Sequence, residues 1–174
     1  MARIKLEELL FAREDRSRRI RSFLFRYRLP IVVLTLNIPG PDKTPEWADQ
    51  VFSAGVNAAR EAFSPQHEKS CLLPSGFEWY GVVKGDPLTL KKKAIRIEET
   101  HPLGRLFDID LHAPDSPQLD RAALRLGPRR CLICSRPAHE CGRSRRHGLE
   151  ELLLKAGSLA DRYASEQDYT LQKQ

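Results

Sequence analysis

The stretch Lys69-Ser70-Cys71-Leu72-Leu73, Pro74-Ser75-Gly76, Phe77-Glu78-Trp79-Tyr80-Gly81-Val82-Val83 decides the fold, because it reads as a β-hairpin. Pro and Gly punctuate the turn between Lys69–Leu73 and Glu78–Val83, and Trp79 and Tyr80 favour extended backbone. Upstream, Thr44 is placed to cap a helix with Pro45 at its first position, and Val51, Phe52, Gly55, Ala58, Ala59 and Ala62 supply its buried face. Before that helix, Pro30 introduces the β-branched strand Ile31–Leu36, which ends in a rigid turn, Asn37-Ile38-Pro39-Gly40-Pro41-Asp42-Lys43. Downstream, Asp86-Pro87 caps a second helix running to about Glu99, Pro102 helps to stop it, and Arg105–Leu111 reads as another strand. The order strand-helix-strand-strand-helix-strand suits an α+β fold: a βαββαβ-like core with an antiparallel or mixed sheet and its helices on one face.

The flanks complete a single domain spanning 1–174. Leu6 to about Phe25 has helical periodicity, with Leu6, Leu9 and Leu10 resuming at Ile20, Phe23 and Leu24. A Pro-rich turn over 113–117 leads to a further strand, Leu119–Leu126. Gly127-Pro128 then marks a break before a basic Cys/His insert, 129–147. Leu149–Tyr163 is an amphipathic helix, and 165–174 is a polar, frayed tail.

Hydrophobic residues at 41% and charged residues at 30% suit a soluble globular protein and are too apolar for disorder. No apolar run approaches the roughly 20 residues of a membrane helix, and Met1–Leu10 carries acids and lacks a cleavage site. A cytoplasmic protein with no membrane partner is expected. The net charge of +6 points to an anionic partner: a phosphorylated small molecule, an acidic protein or nucleic acid.

Two constellations carry chemistry. In Gly104-Arg105-Leu106-Phe107-Asp108-Ile109-Asp110-Leu111, strand alternation puts Asp108 and Asp110 on one face, about 7 Å apart at Cα. Two such carboxylates repel, and a divalent cation between them would relieve this and recruit phosphate oxygens. Alternatively they are acids of a strand half exposed to water. The second is Cys131-x2-Cys134-x6-Cys141-x5-His147, three thiols and an imidazole at a spacing that suits a closed, structural zinc site. Arginines surround it, so a zinc-stabilised nucleic-acid-binding module is the competing reading. The acidic strand and the 7% aromatic content count against that. Arg13 and Arg16 lie one turn apart on one helix side, and Lys43 sits in a turn before a helix. Either could hold phosphate, or simply face solvent.

Four stretches together carry a family resemblance: Leu9-Leu10-Phe11-Ala12-Arg13-Glu14-Asp15-Arg16; Pro39-Gly40-Pro41-Asp42-Lys43; His101-Pro102-Leu103-Gly104-Arg105-Leu106-Phe107-Asp108-Ile109-Asp110; and Arg129-Arg130-Cys131-Leu132-Ile133-Cys134 with Cys141-Gly142-Arg143 and His147. Spanning about residues 6–163, they resemble the holo-citrate-lyase synthase family, the citrate lyase phosphoribosyl-dephospho-CoA transferases. The resemblance implies a nucleotidyltransferase-type enzyme. Its donor is 2'-(5-triphosphoribosyl)-3'-dephospho-CoA, its acceptor a serine of the citrate lyase acyl carrier subunit, and its leaving group diphosphate. Under it, Asp108 and Asp110 would bind Mg²⁺ and Glu98, which also fits the pattern, would be a third carboxylate. A carboxylate or His101 would help to deprotonate the serine. Arg13, Arg16, Lys43 and Arg105 would contact the triphosphate; Arg129, Arg130 and Arg143 would grip donor phosphates or an acidic carrier.

Overall fold

A computed structural model describes residues 6–114 and 119–171. The reading of Met1–Leu10 therefore rests partly on residues outside those described, as do most of the Pro-rich turn and the last three residues of the tail. The chain runs α1 (Leu6–Tyr27), β1 (Ile31–Leu36), α2 (Ala48–Phe63), β2 (His67–Leu73), β3 (Gly76–Val82), α3 (Pro87–Thr100), β4 (Phe107–His112), α4 (Ala138–Arg143) and α5 (Leu149–Leu171), with 3-10 turns at Gly104–Leu106 and Ala122–Leu124.

The four strands form one sheet in the order β2-β3-β1-β4, every neighbouring pair antiparallel. The hairpin closes with Leu73 opposite Gly76, which sits at φ +105°, a conformation that requires glycine. β1 is central and almost wholly buried, as its run of β-branched residues requires.

Helices cover both faces of the sheet, rather than one as the element order suggested. Val32 and Leu34 of β1, Trp79 of β3 and Phe107, Ile109 and Leu111 of β4 pack against α2, α3 and α5. Ile31, Val33, Tyr80 and Val82 face the other way, under α1, where Ile20 joins them and Phe23 stacks on Tyr80. The residues alternate along each strand, so the sheet has two apolar sides and needs two covers.

Local departures have local causes. Asp42 Oδ1 accepts the Thr44 N–H at 3.0 Å, which holds this segment in a turn, and α2 begins only at Ala48. Gly104–Leu106 tightens into a 3-10 turn, so the last strand starts at Phe107, two residues later than expected from Arg105. A Cβ on Gly104 would lie 2.4 Å from the Ile97 carbonyl, so only glycine lets this turn press against α3. The described part of Leu119–Leu126 is no strand: it coils through Ala122–Leu124 and ends at Arg125 with φ +55°. The outer edge of β4 is in part already occupied. Outward-facing backbone groups of β4 are taken by side chains: Glu98 accepts the Ile109 N–H (2.9 Å), Lys91 donates to the Ile109 carbonyl (3.2 Å) and Arg129 donates to the Phe107 carbonyl (2.6 Å). Past Tyr163, α5 continues to Leu171, across much of the segment expected to fray.

Candidate active site

The alternation of β4 turns Asp108, Asp110 and His112 toward the α1 side, while Phe107, Ile109 and Leu111 are buried on the other. In the sheet register Asp108 is opposite Thr35, whose other neighbour is Glu78. Glu78 is fully buried and anchors α1: Arg16 Nε donates to it at 2.8 Å, Arg19 Nη2 at 2.8 Å, and the Tyr80 hydroxyl also donates to it. Burial and the bond to Glu78 push the Tyr80 phenol well above its ordinary range, so it stays a donor.

The N-terminal half of α1 is thereby held over the sheet, and a polar cavity of about 150 Å³ opens beneath it. Its walls include Arg13 and Arg16 from α1, Lys43 from the turn after β1, Asn37, Ser75 from the hairpin turn, and Asp108. Lys43 Nζ donates to the Ile38 carbonyl at 2.6 Å. Burial, and then the nearby Arg13, lower the Lys43 pKa. Desolvation first, and then repulsion from Asp110, raise the Asp108 carboxyl, against the pull of Arg129 and Lys91. Arg129 lies 3.6 Å from Asp108, and Lys91 lies 4.0 Å from Asp110, both longer than a charge-assisted hydrogen bond. Two hard carboxylates on one strand face could hold a Mg²⁺ ion.

Arg129 links this cavity to a larger one of about 450 Å³, lined by Glu98, Arg105, Arg121, Arg129 and Arg130. Arg105 lies on the 3-10 turn and donates to the Arg130 carbonyl, away from the cavity under α1. Glu98 is drawn into structure. Besides taking the Ile109 N–H, it faces Arg121 at 3.6 Å and Arg129 at 4.0 Å. Among the described residues it does not converge with Asp108 and Asp110 into a three-carboxylate cluster. His101 packs its ring, tilted by a little over 40°, against Phe107 and Tyr163 and accepts the Leu103 N–H at Nδ1 (3.0 Å). That places it on the α5 side of the sheet, opposite the face bearing Asp108 and Asp110. The cause is parity: its packing partner Phe107 points away from its neighbour Asp108.

Cys131, Cys134, Cys141 and His147 meet near the end of α4, with their ligand atoms within 4.8 Å of one another. Cys134 Sγ lies 3.6 Å from Cys141 Sγ and 3.4 Å from His147 Nε2. The edges of a tetrahedral zinc site with thiolate and imidazole ligands are about 3.8 and 3.5 Å, so these four could hold such an ion. Burial alone would raise the Cys131 thiol, but backbone N–H groups of Cys134 and Ile133 and the neighbouring thiols hold it low. Burial and then the thiols of Cys134 and Cys131 push Cys141 up to about 11. His147 Nδ1 faces Glu151 at 3.4 Å, the outer carboxylate that orients a ligating histidine. Arg143 is exposed on α4 and lines neither cavity.

The family model described as apo-citrate lyase phosphoribosyl-dephospho-CoA transferase matches residues 4–163. A relative of that name from Citrobacter koseri is 35% identical over 161 residues, covering 90% of this chain and 88% of its own. One from Escherichia coli O6:K15:H31 matches with the same identity and coverage. The chain belongs to this family.

Three of the four stretches that carry the family resemblance converge on one cavity: Arg13 and Arg16, Lys43, and Asp108. The fourth contributes Arg129, which reaches Asp108 from outside. Sequence reasoning missed Glu78, Ser75 and Arg121. Glu78 sits in an aromatic strand, and only the register with α1 shows why a carboxylate belongs there. Ser75 read as turn punctuation, and Arg121 was assigned to a strand that does not form.

Proposed function

We propose that this chain transfers the phosphoribosyl-dephospho-CoA group from 2'-(5-triphosphoribosyl)-3'-dephospho-CoA to a serine of the citrate lyase acyl carrier subunit, releasing diphosphate. The observation that carries the site assignment is the cavity in which Arg13, Arg16 and Lys43 face Asp108. The serine oxygen bonds to the phosphorus next to the ribose. The bond from that phosphorus to the bridging oxygen breaks, and its electron pair leaves with diphosphate. The serine proton passes to a general base. Arg13, Arg16 and Lys43 hold the triphosphate and neutralise it where negative charge gathers. Asp108 and Asp110 would hold Mg²⁺, which when bound supplies further neutralisation of the departing phosphates. Arg105, Arg129 and Arg130 line the larger cavity, which suits the nucleotide half of the donor. Arg143 faces solvent and suits contact with an acidic carrier surface. A zinc ion at Cys131, Cys134, Cys141 and His147 would be structural, since four protein ligands leave no open position. The absence of any membrane-length apolar helix among the described residues fits a cytoplasmic setting.

Intact-mass measurement of the apo carrier after incubation with the enzyme, donor and Mg²⁺ tests the reaction. The carrier should gain the donor's mass less diphosphate, and an unchanged mass would refute the reading. A nucleic-acid module is not favoured. The family match supports the transferase, and Arg121 and Arg129 are engaged with Glu98 and Asp108 rather than displayed.

Two further outcomes follow. Lys43 has a lowered pKa, so it sheds its proton at a lower pH than an ordinary lysine, and donor affinity should weaken as pH rises through that point. Lys43→Arg, which stays charged, should flatten this part of the KM–pH profile. Cys134→Ser should lower metal content by elemental analysis and cut Tm by several degrees, because the insert loses its brace. An unchanged Tm would remove the structural role.

A further inference from the structure

We propose that the small cavity under α1 is the seat of the diphosphate half of the donor, and that Ser75 donates a hydrogen bond to it. This rests on the transferase reading. The Ser75 Oγ is shut off from solvent and is the one buried side-chain polar atom among the described residues with no hydrogen-bond partner. An orphaned hydroxyl of this kind is costly to leave unmade. Ser75 lines the cavity together with the cations Arg13, Arg16 and Lys43, so a turn of its hydroxyl toward an anion held there would give it an acceptor. The hairpin turn is also seated on the lysine that would meet that anion. A Cβ built on Gly76 would lie 3.3 Å from Lys43 Cβ and 3.4 Å from the Lys43 carbonyl, so the turn and Lys43 form one packed wall.

Size and position give the orientation. The cavity of about 150 Å³ suits the compact inorganic end of the donor, and the one of about 450 Å³ suits its nucleotide end. Asp108 borders the first and pairs with Arg129, which borders the second. The phosphorus that is attacked thus lies beside Asp108, with the leaving diphosphate pointing inward beneath α1. Ser75 is neutral, so it adds a directional donor beside the charges of Arg13, Arg16 and Lys43.

The test uses inorganic pyrophosphate as probe, by calorimetric titration and as an inhibitor of carrier modification. The wild-type chain should bind it and be inhibited by it. Ser75→Ala should bind it about tenfold or more weakly, as befits one hydrogen bond to a charged group, and should raise KM for the donor. Arg121→Ala, altered only in the larger cavity, should keep its pyrophosphate affinity. Should Ser75→Ala fold poorly, the near-isosteric pair Ser75→Thr and Ser75→Val isolates the hydroxyl, with only Thr expected to bind tightly. Equal pyrophosphate affinity with and without the hydroxyl overturns the role of Ser75. A chain that modifies the carrier normally yet neither binds pyrophosphate nor is inhibited by it overturns the subsite and leaves the transferase reading standing. Failure to modify the carrier at all defeats that reading instead.

Discussion

Asp108→Asn yields a folded protein whose carrier modification is slowed by about a thousandfold, the scale of losing a charged group at the reacting centre. The substitution keeps the side chain's size and removes only its charge. The Asp108 carboxyl is raised in the folded protein, first by desolvation and then by Asp110. A carboxylate with a raised folded pKa costs stability as pH climbs through that pKa, so at neutral pH the neutral amide escapes this cost. The melting temperature of Asp108→Asn at pH 7 should accordingly match or only slightly exceed that of the parent, because the side chain is about half exposed and solvent screens its charge, with the difference closing at acid pH. Single-turnover mass analysis of the carrier and a thermal melt decide it together. Full activity would remove Asp108 from the reaction, and a collapsed melt would make it a structural residue.

Glu78→Ala carries the largest stability penalty. Its carboxylate is fully buried and receives Arg16, Arg19 and the Tyr80 hydroxyl. Removing one partner from a buried pair leaves charge without compensation and costs about 3–5 kcal/mol. For a chain of this size each kcal/mol is worth about 2–4 °C, so the melt should fall by roughly 10 °C. Because Arg16 and Arg13 ride on the same helix, donor KM should rise even where the variant remains folded. Glu78→Gln keeps acceptor and size and should lose less in urea denaturation. If both variants melt like the parent, α1 is held by its apolar contacts alone and Glu78 has no anchoring role.

The fold was legible where local chemistry agreed with tertiary demand. Ile31–Leu36 is a strand with the expected bounds. Asp86 caps α3, accepting the Thr89 N–H at 2.8 Å, as Asp-Pro before a helical run suggests. The hairpin closes at its Pro74-Ser75-Gly76 turn. The alternation of Phe107-Asp108-Ile109-Asp110 was readable because the intervening apolar residues reveal the buried face. What failed needed long-range facts. The second cover over the sheet follows from α1 crossing back onto Tyr80 and Glu78, some 60 residues away in sequence. Glu98 and His101 are named through the family resemblance. In space the first accepts the Ile109 N–H and the second packs against Phe107 and Tyr163. Proximity along the chain says nothing about which side of a sheet a residue reaches.

The stoppering of β4 by Glu98, Lys91 and Arg129 has a consequence for how the two proteins meet. A carrier cannot zip its own backbone onto this margin, because the rungs it would need are already spoken for by guanidinium, ammonium and carboxylate groups. A carrier docking beside β4 would therefore bring its serine as a tip rather than a ribbon, since main-chain pairing along that margin would first have to displace these side chains.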